Sequence, residues 1–227
     1  MLALTTFYEA VAQEKDAEGF VSLFNGTDLT GWDGNPKFWS VRDGAITGVT
    51  TKENPTSGNT FAIWKGGTVS DFDLRLSYRV VGGNSGIQYR SKDAGNWVVG
   101  GYQADIDSGK TYSGILYEER GRGILAQRGQ MTLLTSNPST GKPVIEKVGS
   151  TGTSDELQSN IKNEDWNEYR IIAHGHQLVH LINGRVTAIC VDEAIEARAA
   201  SGILALQLHA GPPMTVQFKN IRMKTLH

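Results

Sequence analysis

Apolar and polar side chains alternate residue by residue along 72–81: Phe72, Leu74, Leu76 and Tyr78 fall on one side, Asp73, Arg75, Ser77 and Arg79 on the other. Successive side chains of an extended chain point to opposite faces, so a period of two writes a strand with one face in a core and one in water. That is the mark of an antiparallel sheet covered on one side. The pattern returns at 38–47, 61–64, 112–119, 169–174, 177–182, 185–191, 203–209 and 215–226. Between such segments stand the turn dipeptides Asn25-Gly26, Asp43-Gly44, Gly175-His176 and Asn183-Gly184. Asn-Gly and Asp-Gly suit the two-residue turns whose twist matches that of the flanking strands. Residues 192–200 read as one or two helical turns. About a dozen short strands with so little helix predict an all-β fold, a two-sheet antiparallel β-sandwich or jelly roll. No repeated blade signature supports a propeller.

The 227 residues suit one such domain, assigned to 19–227 behind an arm at 1–18. The arm lacks a basic start and a continuous apolar core. It reads as the remnant of a signal peptide, with Ala10-Val11-Ala12 resembling a cleavage site, or as a short amphipathic helix. A net charge of −2 with interspersed signs gives no footprint for nucleic acid or an anionic membrane, and no apolar run is long enough to span a bilayer. The expected partner is a neutral or small ligand. The lone cysteine, Cys190, lies in the apolar alternation VTAICV and reads as a buried core thiol.

The polar positions of three strands share one arrangement. In 83–107 (GNSGIQYRSKDAGNWVVGGYQADID), Gln88 and Arg90 alternate with Ile87 and Tyr89, and Gln103 and Asp105 alternate with Tyr102, Ala104 and Ile106. In 202–209 (GILALQLH), Gln207 and His209 alternate with Leu206 and Leu208. As neighbours in one sheet, these strands would bring Arg90, Asp105 and His209 to a single patch. Asn84, Ser85, Gln88, Gln103, Gln207 and Tyr117 are natural hydroxyl binders there, and Trp97 or Trp64 offers a ring to stack on. Gly114, Leu116 and Glu118 share a face, which puts Glu118 among the candidates, with Glu119 beside it. His174 and His176 flank a turn with no carboxylate near in sequence, so an exposed turn is expected rather than a metal site. His180, between Val179 and Leu181, reads as a polar group on a sheet face. The polar stretch 135–162 is expected to form a flap over the site. An Arg-Asp pair on a sheet face is more often a structural ion pair than a catalytic one.

Taken in order, GFVSLFNGTDLTGW, DFDLRLSYRVVGGNSGIQYR, GYQADI, DWNEYRIIAHGHQLVHLINGRV, GILALQLHAG and VQFKNIRMKTL resemble the 3-keto-disaccharide hydrolase family, once called domain of unknown function 1080. FNG-x-DL-x-GW together with NSGI-x-YR is a specific combination, and the resemblance runs from about residue 19 to 226. It implies a concanavalin A-like jelly roll with a carbohydrate site on its concave face. It also implies a bacterial, periplasmic or secreted protein acting on glycosides whose C3 hydroxyl has become a ketone. Trp32, Trp39 and Trp166 match framework positions of the family and are expected in the core. One departure stands out: many members carry Tyr-Glu-x-Gln where this chain has Tyr102-Gln103-Ala104-Asp105, so the carboxylate has moved two residues along the same face.

An ordinary glycoside needs two flanking carboxyl groups, for which Asp105 with Glu118 or Glu119 is available. A 3-keto sugar offers a shorter route: the ketone acidifies the C2 hydrogen, a base removes it, the C1 substituent leaves by β-elimination, and water adds back. That route needs a base, a cation or metal for the developing oxyanion, and an acid for the leaving oxygen. His209 suits base or acid. Arg90 suits the oxyanion. Asp105 suits orienting His209, acting as base, or holding a divalent metal with Glu118 or His209, although no spacing specifies a metal site. A non-catalytic carbohydrate-binding module and a two-carboxylate glycosidase remain the alternatives on the same face.

Overall fold

Three of the four dipeptides marked as turns, Asp43-Gly44, Gly175-His176 and Asn183-Gly184, close hairpins, whereas Asn25-Gly26 leads from one sheet to the other. Asp43 and Gly44 take positive φ (51° and 70°), as do Asn183 and Gly184 (47° and 77°), the backbone that a two-residue turn between twisted strands requires. The computed structural model describes residues 14–227, so the reading of the arm falls largely on residues outside that range. Within it, Lys15 bridges to Val21, and Asp16 closes a turn by accepting the Glu18 and Phe20 N–H groups.

In chain order the strands are β1 (Val21–Ser22), β2 (Trp32–Gly34), β3 (Trp39–Arg42), β4 (Ala45–Thr50), β5 (Thr60–Trp64) and β6 (Phe72–Val81). Next come β7 (Asn84–Asp93), β8 (Val99–Asp107), β9 (Leu116–Glu119), β10 (Gly123–Ala126), β11 (Gln130–Ser136) and β12 (Pro143–Ser150). A short helix α1 (Ser154–Ser159) precedes β13 (Asn167–His174), β14 (Gln177–Ile182), β15 (Arg185–Asp192), β16 (Ile203–Leu208) and β17 (Met214–Thr225). A ten-stranded sheet runs β12-β11-β15-β14-β13-β6-β17-β4-β3, with β1 also paired to β17, and a seven-stranded sheet runs β10-β9-β8-β7-β16-β5-β2. The result is the expected β-sandwich, with one difference: β11 pairs with β15 in parallel. The chain comes back to that edge only after β12, α1 and the β13–β14–β15 meander, and arrives running the same way as β11.

The apolar faces of the two sheets meet. Leu74, Ile171 and Phe218 from the larger sheet and Ile87, Ala104 and Leu206 from the smaller are fully buried, each large aliphatic or aromatic side chain contributing about 1.5–3 kcal/mol. Tyr89 joins the layers, edge-on to Phe72 and stacked on Tyr102, with ring centroids 5.9 and 5.7 Å away. His180 belongs to this core. Its ring lies between the Tyr89 and Tyr169 hydroxyls (2.9 and 3.3 Å), and burial lowers its pKa to about 3, so it stays neutral. Cys190 is buried as expected, and burial pushes its thiol up to about 12.

Three expectations change here. The stretch 135–162 is not a flap: its middle forms β12, hydrogen-bonded along β11 at the edge of the larger sheet, and its end forms α1. Thr153 and Glu156 cap that helix reciprocally, a signal present in the sequence as Thr-x-x-Glu. The backbone of 192–200 makes a single turn closed on Ala194 rather than a helix. Trp166 lies outside the core, under the Lys219 ammonium (4.0 Å) and the Arg79 guanidinium (5.2 Å), whereas Trp32 and Trp39 are buried as expected.

Candidate active site

The face of the seven-stranded sheet turned away from the core is built from alternate residues of β7, β8, β9 and β16. Register sets Gln88 opposite Gln103, and Gly86 opposite Asp105. It also sets Gln103 opposite Tyr117, and Gly101 opposite Glu119. Gly86 opens the space this face needs. A Cβ there would stand 2.5 Å from Cγ and Cδ of Gln103, so the missing side chain lets Gln103 lie across β7 to reach Gln207 on β16. Gly86→Ala is therefore expected to push Gln103 out of place at a cost of about 1–3 kcal/mol and to lower turnover with it. Thermal melts and assays unchanged from the parent protein would show that the amide chain is dispensable.

Those amides form a directed chain. Ser91 Oγ donates to Gln88 Oε1 (2.6 Å), Gln88 Nε2 donates to Gln103 Oε1 (2.6 Å), and Gln207 Nε2 donates to the same oxygen (2.9 Å). Gln103 Nε2 then donates to Asp105 Oδ1 (2.5 Å). Each glutamine is fixed in orientation by its neighbours, so one oxygen of Asp105 is held as an acceptor and the other is left for a ligand. Asp105 is 5% exposed. Burial raises its pKa well above the usual carboxylate range and outweighs the Gln103 hydrogen bond, with the Glu119 and Asp107 charges adding to the rise. Burial therefore favours the protonated form of this carboxyl.

Glu119 stands on the same face. Its oxygens accept from Gln207 Nε2 (3.2 Å) and Asn59 Nδ2 (3.3 Å). Asn59 is itself anchored by the Ala210 N–H (2.9 Å). His209 Nδ1 faces the Ala210 carbonyl, which can only accept, so in the neutral ring Nδ1 carries the hydrogen and the lone pair lies on Nε2. Burial, together with Glu119 and Asp105, raises the Tyr117 phenol and keeps it a donor. A pocket of about 450 Å³ collects these groups: Asn59, Asn84, Gln103, Asp105, Tyr117, Glu119 and His209, with Tyr112, Ile115 and Ile124 as its less polar walls. This volume suits a small polar ligand. A larger depression, about 700 Å³, lies on the outer face of the ten-stranded sheet. Its arginines are already committed: Arg75 and Arg170 to Asp73, and Arg222 to Asp16.

Of the residues singled out in the sequence, Asp105, His209, Gln103, Asn84 and Tyr117 meet in the pocket, and Gln88 and Gln207 lie in the amide chain beneath it. Arg90 does not join them. The β7–β8 ladder slips between Tyr89 and Lys92, and Arg90 takes a φ of +46°, which turns its side chain away from Gln88. Its guanidinium binds Asp71 (2.7 Å) and the carbonyls of Ser70 and Gly175 (2.7 and 2.8 Å), fastening loops together. Glu118 faces the other side of its strand, opposite Tyr102, and is held by Arg122 (2.7 Å), which also binds the buried Asp192 (2.6 Å). Ser85 points inward and donates to the Gln207 carbonyl (2.6 Å). Trp64 packs against the core, and Trp97 is tied by its indole N–H to Asp33 (2.8 Å), so neither ring lines the pocket. Glu119, weighed as the alternative to Glu118 for a carboxyl pair with Asp105, is the second carboxylate there. The parity of Leu116, a core residue, carried that information.

His174 and His176 are exposed beside Asp71 and Glu193, at 3.8 and 3.1 Å. Among the described residues no three His, Cys, Asp or Glu side chains converge to hold a metal ion. The suggested set of Asp105, Glu118 and His209 is divided by the sheet itself.

The fold and the pocket together define a β-sandwich whose polar site suits a small hydroxylated ligand. The family model described as the 3-keto-alpha-glucoside-1,2-lyase-like domain matches residues 19–224, and the chain belongs to that family. It is 31% identical over 90 residues to a 3-keto-disaccharide hydrolase of Bacteroides thetaiotaomicron, a match covering 34% of this chain and 29% of that protein. Among solved structures, a Parabacteroides distasonis protein provisionally named as a glycosyl hydrolase superposes with a TM-score of 0.60 at 19% identity, over 91% of this chain and 99% of that one. The carbohydrate-binding module CBM66 of Bacillus subtilis gives 0.54 at 14% identity, over 87% and 97%. These likenesses are of fold. Among the described residues no helix is long and apolar enough to cross a membrane.

Proposed function

We propose that this chain cleaves 3-keto-glycosides by elimination at C1 and C2 followed by addition of water. The observation that carries this reading is the pairing, in one polar pocket, of Asp105, a carboxyl whose protonated form burial favours, with the His209 imidazole, whose Nδ1 faces a backbone carbonyl. His209 Nε2 removes the C2 proton, and the electron pair of that bond forms an enediolate with the C3 ketone. Tyr117 and Asn84 supply hydrogen-bond donors for the enediolate oxygen, the role first considered for Arg90. The enediolate then collapses: the C3 ketone re-forms, a C1=C2 double bond forms and the C1–O bond breaks, its electron pair going to the leaving oxygen, which takes the proton of Asp105. Water adds at C1 as the resulting carboxylate of Asp105 accepts its proton, and the imidazolium, its proton exchanged with solvent, protonates C2. The net change is hydrolysis, and both groups are restored. Glu119 does not transfer a proton in this scheme. Its charge holds the proton on Asp105 until the leaving oxygen needs it. A periplasmic or secreted location, where such a substrate would be met, belongs to the same proposal.

Incubation with a 3-keto-glucoside and its unoxidised parent in deuterated water, followed by NMR, tests the scheme. Only the keto form is expected to be cleaved, with deuterium at C2. Cleavage of the unoxidised glycoside without label at C2 would replace it with two-carboxylate hydrolysis by Asp105 and Glu119. Cleavage of neither, with binding retained, would leave a carbohydrate-binding module.

A further inference from the structure

A second depression, about 370 Å³, adjoins the first, and Asn59 lines both. The segment ahead of β3 contributes Asn35, Lys37 and Phe38, the loop ahead of β5 contributes Thr56, and the tip of the β7–β8 hairpin contributes Asn96. Asn59 is the fixed post between the two, held by Ala210 and holding Glu119. A group bonded to C1 of a sugar in the first pocket has this second space to extend into, past Asn59.

The walls there have the chemistry of a site for a hydroxylated ring. Amide, hydroxyl and ammonium groups surround one aromatic side chain, Phe38, whose ring lies 5.3 Å from the Lys37 ammonium. Lys37 forms no ion pair among the described residues. Thr56 lines the depression with its Oγ1 turned out of reach of solvent. Asn96 is held in place by its loop: its φ is +53°, and hydrogen bonds from Ala94 N to Val98 O (2.8 Å) and from Gly95 N to Asp93 Oδ1 (2.8 Å) close the tip around it.

We infer that this second depression is the leaving-group subsite, and that Lys37 and Asn96 select a polyhydroxylated leaving group, a second sugar ring or polyol, over a small alkyl one. The inference rests on the function proposed for the first pocket. Lys37 and Asn96 are exposed, so replacing them spares the core, and Asn96→Gly keeps the positive φ that alanine would strain.

The test compares kcat/KM for a 3-keto-disaccharide with that for the methyl 3-keto-glucoside, whose leaving group is too small to reach the subsite. In the Lys37→Ala, Asn96→Gly double variant the ratio of the two is expected to fall about tenfold or more, mainly through KM on the disaccharide. A ratio within about twofold of the parent protein's overturns the inference while the reaction assignment stands. Side-chain amide NMR of Asn35 and Asn96 separates the two claims. With the unoxidised disaccharide both resonances are expected to move, and with methyl glucoside neither. If the parent protein cleaves nothing yet these shifts occur, the subsite holds and the elimination scheme falls. If the shifts are absent, the subsite itself is wrong.

Discussion

Asp105→Asn is expected to abolish turnover and to raise the melting temperature above pH 7. Both effects come from the same buried carboxyl. The asparagine side chain keeps an oxygen to accept the Gln103 N–H, and it resembles the protonated acid in shape, but it has no proton to deliver to a leaving oxygen. Loss of a general acid typically costs about 10²–10⁴-fold in rate. The stability effect follows from linkage. Unfolded aspartate titrates at about 3.9, and the folded group holds its proton to higher pH. Between those two values the native state binds more protons than the unfolded one, so stability falls as pH rises and stays reduced above the folded pKa. Asparagine has no such slope. Activity of the parent protein should decline over the same upper range as Asp105 loses its proton. Melting curves from pH 4 to 9 on both proteins check this: parallel curves would mean that Asp105 is ionised like any surface aspartate, and its role as an acid would be untenable.

The second large effect is expected at Arg122. Its side chain is 8% exposed and binds Glu118 and Asp192, which are 12% and 2% exposed, while Asp192 also accepts from the Tyr102 hydroxyl (2.6 Å). Arg122→Leu would strand two buried carboxylates beside each other, and breaking a buried pair in this way costs about 3–5 kcal/mol. Chemical denaturation measures the loss directly. Because protonation relieves the stranded charges, the loss should shrink as pH falls toward 4, a dependence that simple removal of packing would not produce. Glu118→Gln, by contrast, should lower stability without removing turnover, since Glu118 faces the core edge rather than the pocket. A Glu118→Gln protein that melts normally but fails to turn over substrate would return that residue to the chemistry.

Local parity made much of this legible. Alternation placed Gln103, Asp105 and Gln207 on one face, and pairing of their strands brought them together as the pattern implied. Parity failed where the ladder slips. Nothing in Tyr89-Arg90-Ser91 announces a bulge, since the residue that takes positive φ there is an arginine rather than glycine or asparagine. One slipped residue moves a side chain to the other face. At 116–119 the pattern was correct and the core side was misjudged: Leu116 is apolar and buried, so Glu118 had to follow it inward and Glu119 outward. Stretch 135–162 misled through composition. An edge strand paired on one side alone, with every residue of β12 except Gly149 well exposed, need not look apolar, so its polarity resembled that of a loop. The contribution of Asn59, which precedes its strand and reaches the site across the sheet, had no periodic signal to reveal it.

The position of β17 bears on the order in which the molecule comes together. Strand β17 lies between β6 and β4 and also pairs with β1, so three early segments of the larger sheet meet only through a strand far downstream of them. Without it the β3–β4 hairpin has no neighbour within its own sheet. The smaller sheet likewise waits for β16 to join β7 with β5. Contacts so distant in sequence must pay loop-closure entropy before they return any stability, so the docking of β17, which joins β1, β4 and β6 into one sheet, is a late event in folding.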